Sequence, residues 1–147
     1  MRIPVPLLLV GSLAALACAS AAPQGDLKPW DQEQVTLLAV NLASAATDAR
    51  NAARRDPNVA ASRDRRVLRY LDALRRVETG TIQLATALQS GQGREQTEPI
   101  ATRVRGFVRD ARQHGFALPQ TIQTRDAIAP AEKLLEELAP YWFPQGA

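Results

Sequence analysis

Between residues 31 and 142 the apolar positions recur at helical spacing, and no stretch keeps a period-two alternation. The pattern therefore predicts helices and no strands. A first helix is predicted from Asp31 to Arg55, with Val35, Leu38, Leu42, Ala45, Ala49 and Ala52 along one seam. Asp31 is its cap and Gln34 completes a box-like N-terminus. Trp30 and Val35 are placed to form a hydrophobic staple. Asp56-Pro57 ends the helix, because proline disfavours helical backbone at the residue before it. A second helix is predicted from Ser62 to Ser90, buried through Val67, Tyr70, Leu71, Leu74, Val77, Leu84 and Leu88. Gly80 weakens its middle by about 1 kcal/mol relative to alanine. Gly91-Gln92-Gly93 breaks the chain.

A third helix is predicted from Thr97–Pro99 to His114-Gly115, with Ile100, Val104, Phe107, Val108 and Ala111 on its apolar face. Gly115 is expected in the left-handed position past the helix end, with Phe116 making the accompanying apolar contact. A fourth begins at Thr121 or Thr124 and carries Ile122, Ile128, Ala131, Leu134, Leu135, Leu138 and Trp142. Pro130 is expected to kink or split it. Short links between long amphipathic helices predict an all-α, up-down-up-down four-helix bundle. A three-helix body with a loosely docked fourth segment is the alternative. Trp30 and Tyr141-Trp142-Phe143 are expected to meet at one end. They form either a plug closing the bundle or a contact with a membrane interface.

The N-terminus carries a different pattern. Met1-Arg2 is followed by a run from Ile3 to Ala17 that is apolar apart from Ser12, and then by small residues. This is the layout of a secretory signal peptide. The run is shorter than the ~20 residues that span a bilayer. Ala15-Leu16-Ala17-Cys18 resembles a bacterial lipobox, which implies cleavage before Cys18, acylation of Cys18 and outer-membrane sorting. The competing reading is a soluble periplasmic or secreted protein cut at an A-x-A site such as Ala19-Ser20-Ala21. The expected organisation is a signal peptide over 1–21, a flexible tether over 22–29 and one helical domain over 30–147.

The chain has 147 residues and a formal charge of +3, with 18 Lys and Arg against 15 Asp and Glu. Nine arginines lie between Arg50 and Arg76, opposed only by Asp56, Asp64 and Asp72. An antiparallel arrangement adds Arg109, Arg112 and Arg125 to the same end. Arg54, Arg55, Arg63, Arg65, Arg66, Arg109 and Arg112 are the candidate anion- or partner-binding residues. Two bland readings compete: a solvated face, and favourable charge–dipole contacts at the end of the first helix. Arg63, Arg65 and Arg66 stand at the wrong helix end for the second. Acidic residues Asp26, Asp31, Glu33, Glu95 and Glu98 gather at the opposite pole. Candidate anions are cell-wall polymers, phospholipid headgroups and an acidic protein. Nucleic acid is not expected, since the protein reads as exported and Tyr70 is the only aromatic in the basic run.

One His and one Cys leave a Cys/His zinc site, a Cys-His dyad and an internal disulfide without parts. His114 lacks the Glu three residues earlier that a di-iron bundle needs. No c-type haem motif and no phosphate-binding loop is present. The sequence therefore predicts no catalytic residues, metal or cofactor. It points to a non-catalytic structural or interaction module of the cell envelope, anchored through the Cys18 lipid. An anion-binding protein using the Arg-rich tip is the alternative. A carrier is a third reading, since the alanines of the first helix could leave internal space.

Overall fold

A computed structural model describes residues 26–116 and 118–144. The predicted signal peptide, Cys18 and the start of the tether lie outside the described residues. Every regular element among the described residues is helical: α1 (Gln32–Arg55), α2 (Pro57–Ala60), α3 (Arg65–Gln89), α4 (Arg94–Gly115), α5 (Ile122–Leu138) and a final 3-10 turn, Ala139–Tyr141. None of these helices is long and apolar enough to cross a membrane.

Local chemistry sets the boundaries. Asp31 caps α1, its carboxylate accepting from the Gln34 amide at 3.0 Å. Asp64 caps α3 through the Arg66 amide. Gly91 takes a φ of 84°, and the Gln92 amide reaches back to the Ala87 carbonyl while Gly91 reaches Leu88. This is a Schellman stop, and the left-handed residue in it is best served by glycine. The α4 helix begins earlier than its apolar pattern implies. Gln96 accepts from the Gly93 amide at 2.8 Å and draws Arg94 and Glu95 into the first turn. The short α2 was not foreseen; Pro57 opens it and Asp56 caps it through the Asn58 amide.

The core is built from two clusters. The first joins the start of α1 (Val35, Leu38, Ala39, Leu42) to the end of α3 (Leu84, Ala85, Leu88), to Ala101 on α4, and to Leu138, Tyr141 and Trp142. The second joins the later part of α1 (Ala46, Ala53) to the start of α3 (Tyr70, Ala73, Leu74, Val77) and the end of α4 (Ala111). α3 packs along α4 and along α1, and α5 packs along α1. Gly80 explains the closeness of α3 and α4: a Cβ there would stand 3.0 Å from Val104 Cγ2 and 3.4 Å from Phe107.

Four expectations need correction. The α1 seam drifts: Ala46 and Ala53 are buried, whereas Ala45 and Ala52 are only half-buried. A strict alternation of three and four assumes 3.5 residues per turn, and a helix of ~3.6 rotates off that seam. Pro130 does not split α5, which runs unbroken through it. Pro130 and Asp126 are both exposed, so the carbonyl deprived of its donor is open to water. Gly115 has no positive φ. It is needed for space instead, since a Cβ would lie 2.7 Å from Tyr70 Cε2. Phe116 and Ile122 make no buried contact and are 95% and 71% exposed.

The aromatic residues do meet at one end. Trp30 stands edge-on to Tyr141 and Trp142, with ring centroids 6.1 Å and 5.5 Å away. The Trp142 indole donates to Thr97 Oγ1 at 3.1 Å, inside the protein. Tyr141 and Trp142 are buried, which fits the plug rather than the membrane contact. Lys28, in the predicted tether, donates its amide to the Pro140 carbonyl and stands over the Tyr141 ring.

Candidate binding groove

The same packing that closes three seams leaves one open. α4 rests on α3, α5 rests on α1, and the two meet only sparsely across the gap between them. The gap holds two adjoining chambers of about 710 Å³ and 750 Å³. Leu42 and Leu84 floor the first, nearer the aromatic plug. Ala46, Ala49, Leu74 and Val77 floor the second, nearer the α4–α5 loop. Val108, Arg112 and Leu135 line both, so the chambers join there.

One ion pair ties the walls at the junction. Arg112 Nε on α4 donates to Glu132 Oε1 on α5 at 3.1 Å. Both side chains are about half exposed, so the pair lies toward solvent, above half-buried Val108 and Leu135. Gly106 lines the first chamber, and a Cβ added there would meet nothing within 4 Å. No close packing requires a glycine at that point, unlike Gly80 and Gly115. Its presence in mid-helix, unfavourable by about 1 kcal/mol relative to alanine, keeps the wall bare.

The rim is charged. Arg105, Arg109, Arg112 and Arg125 line the chambers against Glu132 and Glu136. The Arg105 guanidinium stacks over Phe143 at 4.7 Å. Arg109 is largely exposed, 3.8 Å from Asp110. At the floor of the second chamber, burial drives the Tyr70 hydroxyl up to about 12, in spite of a hydrogen bond with Gln120.

The seven arginines singled out by sequence do not form one site. All are exposed. Arg54, Arg55, Arg63 and Arg65 surround the α1–α3 connection and have no acidic partner among the described residues. Arg66 is held by the Asp64 carboxylate. Arg109 and Arg112 face the groove instead. What joins the two connections is Asp56. Its Oδ2 accepts from the Thr121 amide at 2.8 Å and the Thr124 hydroxyl at 2.7 Å, which clamps the end of α1 to the start of α5. In the sequence, Asp56-Pro57 reads only as a helix stop. The signal for the clamp was there, an Asp before Pro and a Thr-x-x-Thr cap, but not their pairing. The groove itself had only a faint signature, in the alanines of α1 and in Gly106.

Comparison of the chain with protein-family models, with curated proteins and with solved structures finds no match.

Proposed function

We propose that the chain is an exported cell-envelope protein that works without catalysis, as a binding module whose working surface is the α4–α5 groove. The observation that carries this reading is an apolar trough, open along one seam of an otherwise packed helical body and walled in part by a glycine that packing does not need. The reading takes the architecture as an up-down-up-down bundle opened along its fourth seam. The pairing of opposite ends of successive helices in the two core clusters supports that description. Export rests on the N-terminal pattern, and lipid anchoring on the position of Cys18. Under this proposal the protein is an outer-membrane lipoprotein, or a soluble periplasmic or secreted form of the same module. Its partner is an envelope component.

Titration with the neutral dye N-phenylnaphthylamine tests the groove. The dye brightens in apolar surroundings, and saturable binding is expected. Val108→Trp, which fills the chamber junction, is expected to abolish that binding. A chain that leaves the dye dark removes the groove as the working surface. The mass of the mature N-terminus tests acylation of Cys18 independently.

A second reading keeps the Arg-rich tip as the contact for an anionic envelope component. It is favoured by the exposed Arg54, Arg55, Arg63 and Arg65, which lack acidic partners among the described residues. Its mark is affinity that falls steeply with salt and is lost on substitution of Arg63 and Arg65.

A further inference from the structure

While the Arg112–Glu132 pair is closed, the groove admits a thin occupant along its length and not a wide one. The Arg112–Glu132 pair bridges its walls midway, at 3.1 Å. A helix with its side chains is ~10–12 Å across and cannot run the length of the trough beneath that pair. A single alkyl chain can. From Arg125 to Ala139 the α5 wall rises about 21 Å, close to the reach of an extended chain of about sixteen carbons. The floor offers such a chain hydrocarbon from Leu42, Leu84, Leu74 and Val77, with Tyr70 at the far end of the second chamber. Four arginines and two glutamates line the chambers; Arg112 is paired with Glu132, and Arg109, largely exposed, stands 3.8 Å from Asp110. Phe116, 95% exposed, stands on the lining of the second chamber and gives an apolar chain its first contact at the mouth.

We propose that the groove binds a single-chain amphiphile with an anionic headgroup. The alkyl chain lies under the Arg112–Glu132 pair, and the headgroup meets Arg109 beside the stacked Arg105. A neutral headgroup gains less from this rim than a carboxylate or phosphate monoester, whose charge strengthens the hydrogen bonds it accepts from guanidinium groups. The inference rests on the groove being the binding surface and adds the class of ligand.

The test is displacement of N-phenylnaphthylamine from the purified chain by hexadecanoate, hexadecyl phosphate and hexadecanol. Both anions are expected to compete about tenfold more tightly than the alcohol, the worth of one charge-assisted contact. The tighter of the two identifies the headgroup as carboxylate or phosphate. Arg109→Gln is expected to weaken the anions about tenfold and leave hexadecanol unchanged. Shortening the carboxylate is expected to weaken it by about two- to fourfold per methylene removed. Equal competition by anion and alcohol overturns the ligand class while leaving the groove as a binding surface. So does an Arg109→Gln chain that holds hexadecanoate as tightly as the parent. Failure of the dye itself to bind overturns both.

Discussion

Asp56 accepts a hydrogen bond from the Thr124 hydroxyl at 2.7 Å, across 68 residues of chain. The pair fastens the end of α1 to the first turn of α5, the helix that packs on α1 and forms one wall of the groove. Asp56 is 2% exposed, and none of the groups that set the charge on its carboxyl is a cation. Burial alone would raise its carboxyl. The Thr121 amide, the Thr124 hydroxyl and the Asn58 amide outweigh burial and hold it at about 2. Two helix N-termini, those of α2 and α5, thus share one carboxylate.

That arrangement makes acid stability depend on Asp56. Its folded value lies below the ordinary 3.8, so the unfolded chain takes up the proton first. The stabilisation is complete above about pH 4 and is lost as pH falls through about 2, a contribution of roughly 2 kcal/mol. Asp56→Asn is expected to be less stable than the parent at neutral pH by about that amount. The two chains should converge between pH 4 and pH 2 in urea melts. A gap that stays constant over that range removes the clamp from the account.

The glycines of α4 should respond in opposite directions. Gly106→Ala adds a methyl where nothing lies within 4 Å. Helix propensity then dominates, and a gain of about 0.5–1 kcal/mol is expected. Gly115→Ala drives a methyl to 2.7 Å from the buried Tyr70 ring, and overpacking of this kind costs about 1–3 kcal/mol. Denaturant midpoints of the two variants provide the measurement. A stabilised Gly115→Ala would mean that Tyr70 moves aside freely.

The helices were legible because burial and period coincide in them. Val35, Leu38 and Leu42 lie on the seam read from sequence, and Asp31, Gly91 and Thr121 act where local chemistry places caps. Tertiary packing was not legible to the same depth. Gly115 resembled a helix terminator, but its role is set by Tyr70, 45 positions earlier in the chain. Phe116 resembled an apolar cap contact and is solvated. The groove escaped because apolar periodicity marks faces that need covering. It does not say whether two such faces meet. Val108 and Leu135 read as core and are half-buried walls of an open trough.

At the plug, Trp142→Phe separates a hydrogen bond from apolar bulk. Thr97 Oγ1 also donates to the Gly93 carbonyl at 2.8 Å, so the hydroxyl keeps a partner when the indole is removed. The expected loss is about 1 kcal/mol for the bond and about 1 kcal/mol for the smaller ring. Thr97→Val in the same background should then cost less than in the parent. Independent, additive losses in this double-mutant cycle would show that the indole bond contributes nothing.

The Arg112–Glu132 pair should govern exchange at the groove more than stability. Half-exposed pairs contribute about 0–1 kcal/mol, so Arg112→Gln is expected to change the melting midpoint little. With the bridge gone, however, the two walls lose the ion pair that joins them at the chamber junction. Dye release is then expected to quicken by about three- to tenfold, while the docking of α5 on α1 persists. High salt should reproduce part of this change in the parent and none of it in the variant, since screening acts on the exposed pair. Stopped-flow dilution of dye-loaded protein at two ionic strengths measures both effects. Release that is indifferent to Arg112 and to salt would mean that the bridge does not retain what lies beneath it.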